Sequence, residues 1–272
     1  MNKFFNFFVV IAIMLPLFFV SCHPNGPTPP ESTFKVEGQI TNVTDMPECD
    51  SIYAVSQNDN GEIVIAKAPI TNGYFSIQLP ATLPESDLHL VKDDFSNLES
   101  QFSDAGININ NIDITVSDPK AKGAGISFVL MKNGQPASAN GEAVAPMEIL
   151  NANTVNMTAK TCSFMYANQT VDITGVVDVS QDISGIMTLR IIENINLQYK
   201  GGWNISQMFE DKPQIDYFNA IFTLYMFVTS IDINQMPPWM YVTSDMMGIT
   251  SAPETPNVGT SMFVPKKLNF KK

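Results

Sequence analysis

The sequence predicts an all-β protein built as two β-sandwich domains. Short apolar runs alternate with a period of two, the mark of half-buried strands. Asn-Gly pairs stand between several of those runs, as tight hairpins require. A lysine-, proline- and glycine-containing break near the middle of the chain divides the runs into two groups.

The first twenty-one residues stand outside that fold. Lys3 gives a positive start, Phe4 to Phe19 is almost wholly apolar, and the small residue Ser21 follows, which together read as a secretory signal peptide. The apolar run of about 16 residues, interrupted by Asn6 and Pro16, is short of the ~20 that a membrane-spanning helix needs. Ser21-Cys22 resembles the lipobox of bacterial lipoproteins, although Phe19 stands where leucine is usual. That resemblance implies a lipid-modified Cys22 at the mature N-terminus and an outer-membrane lipoprotein facing either the periplasm or the outside. Residues 22–33 hold Pro24, Pro27, Pro29 and Pro30 and read as an extended tether.

Residues 34–117 form the expected N-terminal sandwich. Phe34, Val36 and Ile40 alternate with Lys35, Glu37 and Gln39. SIYAVSQ and EIVIAKAPI flank Asn60-Gly61, and Asn72-Gly73 precedes YFSIQLP, so two hairpins are expected. LHLV and IDITV read as further strands. Between them Phe95, Leu98 and Phe102 take helical spacing, which predicts one short helix or turn. The segment resembles the small N-terminal sandwich modules of such lipoproteins, a likeness of fold and not of activity. Residues 117–125, SDPKAKGAG, read as the interdomain linker.

Residues 124–250 form the expected C-terminal sandwich. ISFVLMK runs into Asn133-Gly134, and dense strand candidates follow in TVNMTAKTCSFMYA, TVDITGVVDVS and GIMTLRIIENINLQY. Tyr166-Ala167, Ile173-Thr174-Gly175, Leu197, Gly202-Trp203-Asn204 and Trp239, in this order, resemble an uncharacterised all-β lipoprotein family of anaerobic Gram-negative gut bacteria. The resemblance implies an all-β fold and carries no biochemical activity. Residues 215–231 have strand composition but also place Phe218, Phe222 and Tyr225 at helical spacing. Residues 251–272 read as a tail or edge strand and end in Lys266, Lys267, Lys271 and Lys272, a solvated tail or a dock for an acidic surface.

The chemistry is sparse. The formal charge of −12 argues against nucleic acid as a partner. Of two histidines, His23 lies in the tether, which leaves His89 as the base of any Ser-His-Asp or Cys-His hydrolase. Asp93, Asp94 and Glu99 are carboxylates that a glycosidase would need, and they are also ordinary loop acids. Asn58, Asp59, Asn60 and Glu62 lack calcium-loop spacing. No metal site, phosphate loop, CxxC or nucleotide fingerprint is read, so no cofactor is expected. Cys49 and Cys162 form either a disulfide or two free thiols. Trp203 and Trp239 are either a sugar-stacking platform or core residues. Asp50-Ser51-Ile52 resembles the O-glycosylation sequon of these bacteria, which implies Ser51 as acceptor. The expectation is a lipid-anchored, non-enzymatic envelope protein with a structural, adhesive or assembly role, its partner another envelope protein or a polysaccharide. The alternative is a glycan-binding accessory of a polysaccharide-uptake system. A carboxylate-pair hydrolase trails both.

Overall fold

The computed structural model describes residues 33–58, 61–138, 143–153, 156–183, 185–211 and 213–242. Cys22 and the lysines of the tail lie outside them, as do Asp59 and Asn60 of one expected turn. The protein is all-β. The first strands are β1 (Thr33–Gln39), β2 (Ser51–Asn58), β3 (Gly61–Thr71), β4 (Tyr74–Pro80) and the short β5 (His89–Leu90). Where one short helix or turn is expected, two short helices follow, α1 (Asp93–Ser96) and α2 (Leu98–Asp104); Leu98 and Phe102 turn into the core. After them come β6 (Asn108–Val116), β7 (Lys122–Lys132), β8 (Gln135–Pro136), β9 (Ala143–Asn153) and β10 (Asn156–Ala167). The chain continues through β11 (Val171–Ile183), β12 (Met187–Tyr199), β13 (Gly202–Glu210), β14 (Gln214–Asp216), β15 (Ile221–Ile231) and β16 (Trp239–Val242).

Local chemistry sets the hairpins. Asn72 and Gly73 have φ of 51° and 79°, and Asn133 and Gly134 have 53° and 75°. Positive φ at both central residues is what a two-residue hairpin turn of the right twist demands. The ambiguous stretch before Trp239 is the strand β15, preceded by a turn, with Phe222, Leu224 and Met226 buried at alternate positions.

Neighbouring strands run in the order β1-β4-β3-β2-β7-β9-β10-β13-β15-β12-β11-β6. β16 pairs with β9, and Ile40 bridges Trp239 in parallel, so the first half closes into a ring. Thr41 N donates to Trp239 O at 2.9 Å, and Asn42 exchanges two side-chain bonds with the Tyr241 backbone. Inside the ring lie Val36, Ile52, Phe75, Ile77, Phe128, Phe164 and Trp239. A second core gathers Leu98 and Phe102 from α2 against Ile173, Val179, Leu189, Ile191 and Leu224. β10 serves both: Cys162 and Phe164 face the first core, Met165 and Ala167 the second.

Strand pairing crosses the boundary expected at 117–125. β6, before it, pairs with β11 far along the chain, whereas β7, after it, pairs with β2. The segment is not an exposed spacer, because Ala121 and Ala124 are fully buried and β7 starts at Lys122. Its small residues permit close passage: a Cβ on Gly123 would fall 2.8 Å from Tyr166 O. A fragment of residues 33–117 should therefore fail to fold alone, with β2 lacking β7 and β6 lacking β11. A cooperative thermal transition of that fragment, followed by circular dichroism, would refute the exchange.

Gly38 gives a second test. A Cβ there would sit 2.1 Å from Trp239 Cδ1, in a core with no room for the indole to retreat. Gly38→Ala should cost about 1–3 kcal/mol as overpacking, read as a lowered midpoint in urea unfolding.

Candidate functional site

Among the described residues, each one singled out in the sequence has a definite place. Trp239 is 4% exposed and packs edge-on to Phe75 and Phe128 and stacked on Phe164. It is a core residue and offers no face to a sugar. Trp203 is half-buried, meets the Tyr166 ring edge-on, and donates its indole N–H to Pro80 O at 2.7 Å. The two indoles form no common platform: Trp239 lies inside the first core, while Trp203 packs against the outside of that core and beside Tyr166, Leu83 and Leu88. Cys49 and Cys162 are free thiols, not a disulfide. Burial pushes the Cys162 thiol up to about 11, far from the thiolate that reactivity needs. Ser51 opens β2 and donates to Asp50 Oδ1 at 2.6 Å, while Asp50 Oδ2 accepts from Asn133 N.

The lone strand histidine has a partner. His89 Nε2 lies 2.8 Å from Asp94 Oδ1, each side chain about one-quarter exposed, so the pair ties β5 to α1. Asp93 and Glu99 are exposed on their helices. Nearby, Tyr199 is buried and pushed up to about 12, chiefly by desolvation, against a hydrogen bond to Ser206. Ser206 also shares a 2.7 Å bond with Ser163. Structurally these groups form a satisfied polar seam along the second core.

Two acids that the sequence reading passed over face the same core. Glu193 pairs in register with Met226 on β15, and so does Glu210 from the other side. Residues in register share a face, so both carboxyls lie on the Met226 side, their Cα atoms about 10 Å apart across two strand spacings. Burial pushes each up to about 7. Glu210 is 9% exposed, and its Oε1 has no hydrogen-bond partner among the described residues. The signal was present in the sequence. Glu193 holds the inward parity of Leu189, Ile191 and Ile195, where a strand buried on that face should be apolar.

The second region missed lies at the opposite end of β12 from Tyr199. The β14–β15 turn exposes Tyr217 at 86% and Phe218 at 95%, and the β11–β12 turn exposes Ile186 at 79%. Thr188 N donates to Ala220 O at 2.9 Å, which sets the two turns side by side. Asp216 orders the aromatic turn, its Oδ1 accepting from Phe218 N and Asn219 N and its Oδ2 from Asn219 Nδ2. Those bonds, the Asn219 side chain first, hold the Asp216 carboxyl below the usual carboxylate range.

Comparison of the chain with family models, curated proteins and solved structures found no match. Among the described residues no group of three or more histidine, cysteine or acidic side chains is placed to hold a metal ion, and no helix is long and apolar enough to cross a membrane.

The buried acids give a pH test with a definite sign. An unfolded glutamate titrates near 4.5, whereas Glu193 and Glu210 hold their protons to about 7. The folded state thus binds more protons between those values, and stability falls as pH rises from about 4.5 to about 7 before levelling. Glu210→Gln should leave stability near pH 4 almost unchanged. It should raise stability at pH 8 relative to wild type by on the order of 1–3 kcal/mol, measured by urea unfolding at both pH values. An equal effect at both would remove burial of the charge as the cause.

Proposed function

We propose that this is a lipid-anchored protein of the cell envelope, without enzymatic activity, serving a structural, adhesive or assembly role. The observation that carries the reading is the way the chain enters its fold. Thr33, eleven residues after Cys22, already pairs with Pro80 as the first residue of β1. β1 then pairs with β4 over its whole length and is fastened through Ile40 and Thr41 to Trp239. A pull on Cys22 would be taken by β1 along its axis, against a full row of cross-strand bonds, which is a resistant attachment for a tethered body. Glycan capture through Trp203 and Trp239 has no support in their packing, and no observation favours a carboxylate-pair hydrolase, since burial alone raises Glu193 and Glu210.

The anchor is testable in cells. Wild-type protein should partition with membranes and carry acyl mass on Cys22. Cys22→Ser should move to the soluble fraction after alkaline extraction, and its unchanged retention would sink the anchor.

A further inference from the structure

The geometry points to the paired turns carrying Tyr217, Phe218 and Ile186 as a membrane-insertion tip, which seats in the interfacial layer of a neutral or zwitterionic bilayer. The inference rests on the proposed life of the protein at a membrane surface. Size comes first. Aromatic side chains carry about 150–250 Å² each, so at these exposures Tyr217, Phe218, Ile186 and the 45%-exposed Ile215 present roughly 500 Å². That matches the largest apolar patch of ordinary monomers, about 300–600 Å², which is often functional. It falls short of the roughly 800 Å² per partner of a stable protein interface or dimer.

Shape and polarity select among the remaining occupants. The patch is the end of two adjoining hairpins, a projection and not a groove, and a projection can enter a soft medium without a matching cavity. Sugar recognition needs free hydrogen-bonding groups beside the aromatic face. Here Asp216 and the Asn219 amide nitrogen are engaged within the turn itself. Asp182 Oδ1 likewise accepts from Gly185 N in the neighbouring turn. With Phe218 N and Asn219 N so satisfied, the turn can approach hydrocarbon at a lower desolvation cost. The ionised Asp216 and the chain's charge of −12 disfavour anionic headgroups. Tyrosine, with an apolar ring and a polar tip, suits the headgroup boundary.

Position agrees. The tip lies at the Met187 end of β12, while Trp203, bonded to Pro80 beside Thr33, lies just past the Tyr199 end. Thirteen residues of strand put these ends about 40 Å apart. A lipid at Cys22 and an inserted tip would be two contacts with one bilayer, and the body would lie along it.

The test uses the chain from residue 22 with Cys22→Ser, which keeps every described residue and has no acyl chain, floated with phosphatidylcholine vesicles. This parent chain should float with the vesicles, and Tyr217→Ser/Phe218→Ser in it should lose at least fivefold of that, with its melting transition unchanged. Ile186→Asn should lose a smaller share. Adding anionic phosphatidylglycerol should weaken flotation. The tip is refuted if the parent chain does not float, if the double variant floats equally, or if anionic lipid strengthens binding. Retention of the parent by a soluble polysaccharide through Tyr217 and Phe218, with vesicles ignored, would assign the tip to glycan instead. No lipidated protein enters this experiment, so its failure leaves the Cys22 anchor standing, and loss of the anchor in cells leaves the tip untouched.

Discussion

The indole of Trp239 is the constraint on which the first half of the molecule depends. It fills the space that Gly38 leaves, meets Phe75, Phe128 and Phe164, and through its backbone joins β1 to β9 by way of β16. Remove it and the ring loses both its filling and its closure. The aromatic contacts are then not a separate feature from the topology: the residue that packs the core also brings the last described strand back to the first.

From this closure the second half inherits its shape. β10 and β13 form the wall between the two cores, with adjacent residues facing opposite clusters. Phe164 must meet Trp239 on one side while Met165 meets the helix-capped core on the other. A two-faced wall of this kind couples the halves, so repacking on one side is felt on the other. It also explains the mixed character of β10 in the sequence, where Phe164, Met165 and Tyr166 follow one another without clean alternation.

Local features were legible because their causes are local. Asn72-Gly73 and Asn133-Gly134 announce their turns through the backbone conformation they allow, and Val36 and Ile40 announce their inward face by parity. What the residues could not announce is which strand lies beside which. The exchange of β6 and β7 rests on pairings up to scores of residues apart, and small residues such as Ala121 and Gly123 read equally well as a spacer or as a close crossing. For the candidate site, His89 and the two tryptophans attracted attention by their type; His89 finds Asp94 five residues on, whereas the indoles' partners Pro80 and Phe164 came from distant segments. The tip was hidden for the opposite reason. Tyr217 and Phe218 have the composition of a strand interior, and only the Asp216 turn turns them outward.

The Asn42–Tyr241 bonds span 199 positions of the chain. Topologies dominated by such distant pairings fold slowly, because loop closure must precede the contacts that reward it. At ~5–20 residues per second, synthesis of that interval takes roughly 10–40 s, during which β1 has no β16 to close against. The nascent chain thus stays open until its last described strand emerges, and the completed ring is an end-stage event. A truncation before Trp239 would leave not a smaller protein but an unclosed one, a substrate for proteases and for aggregation.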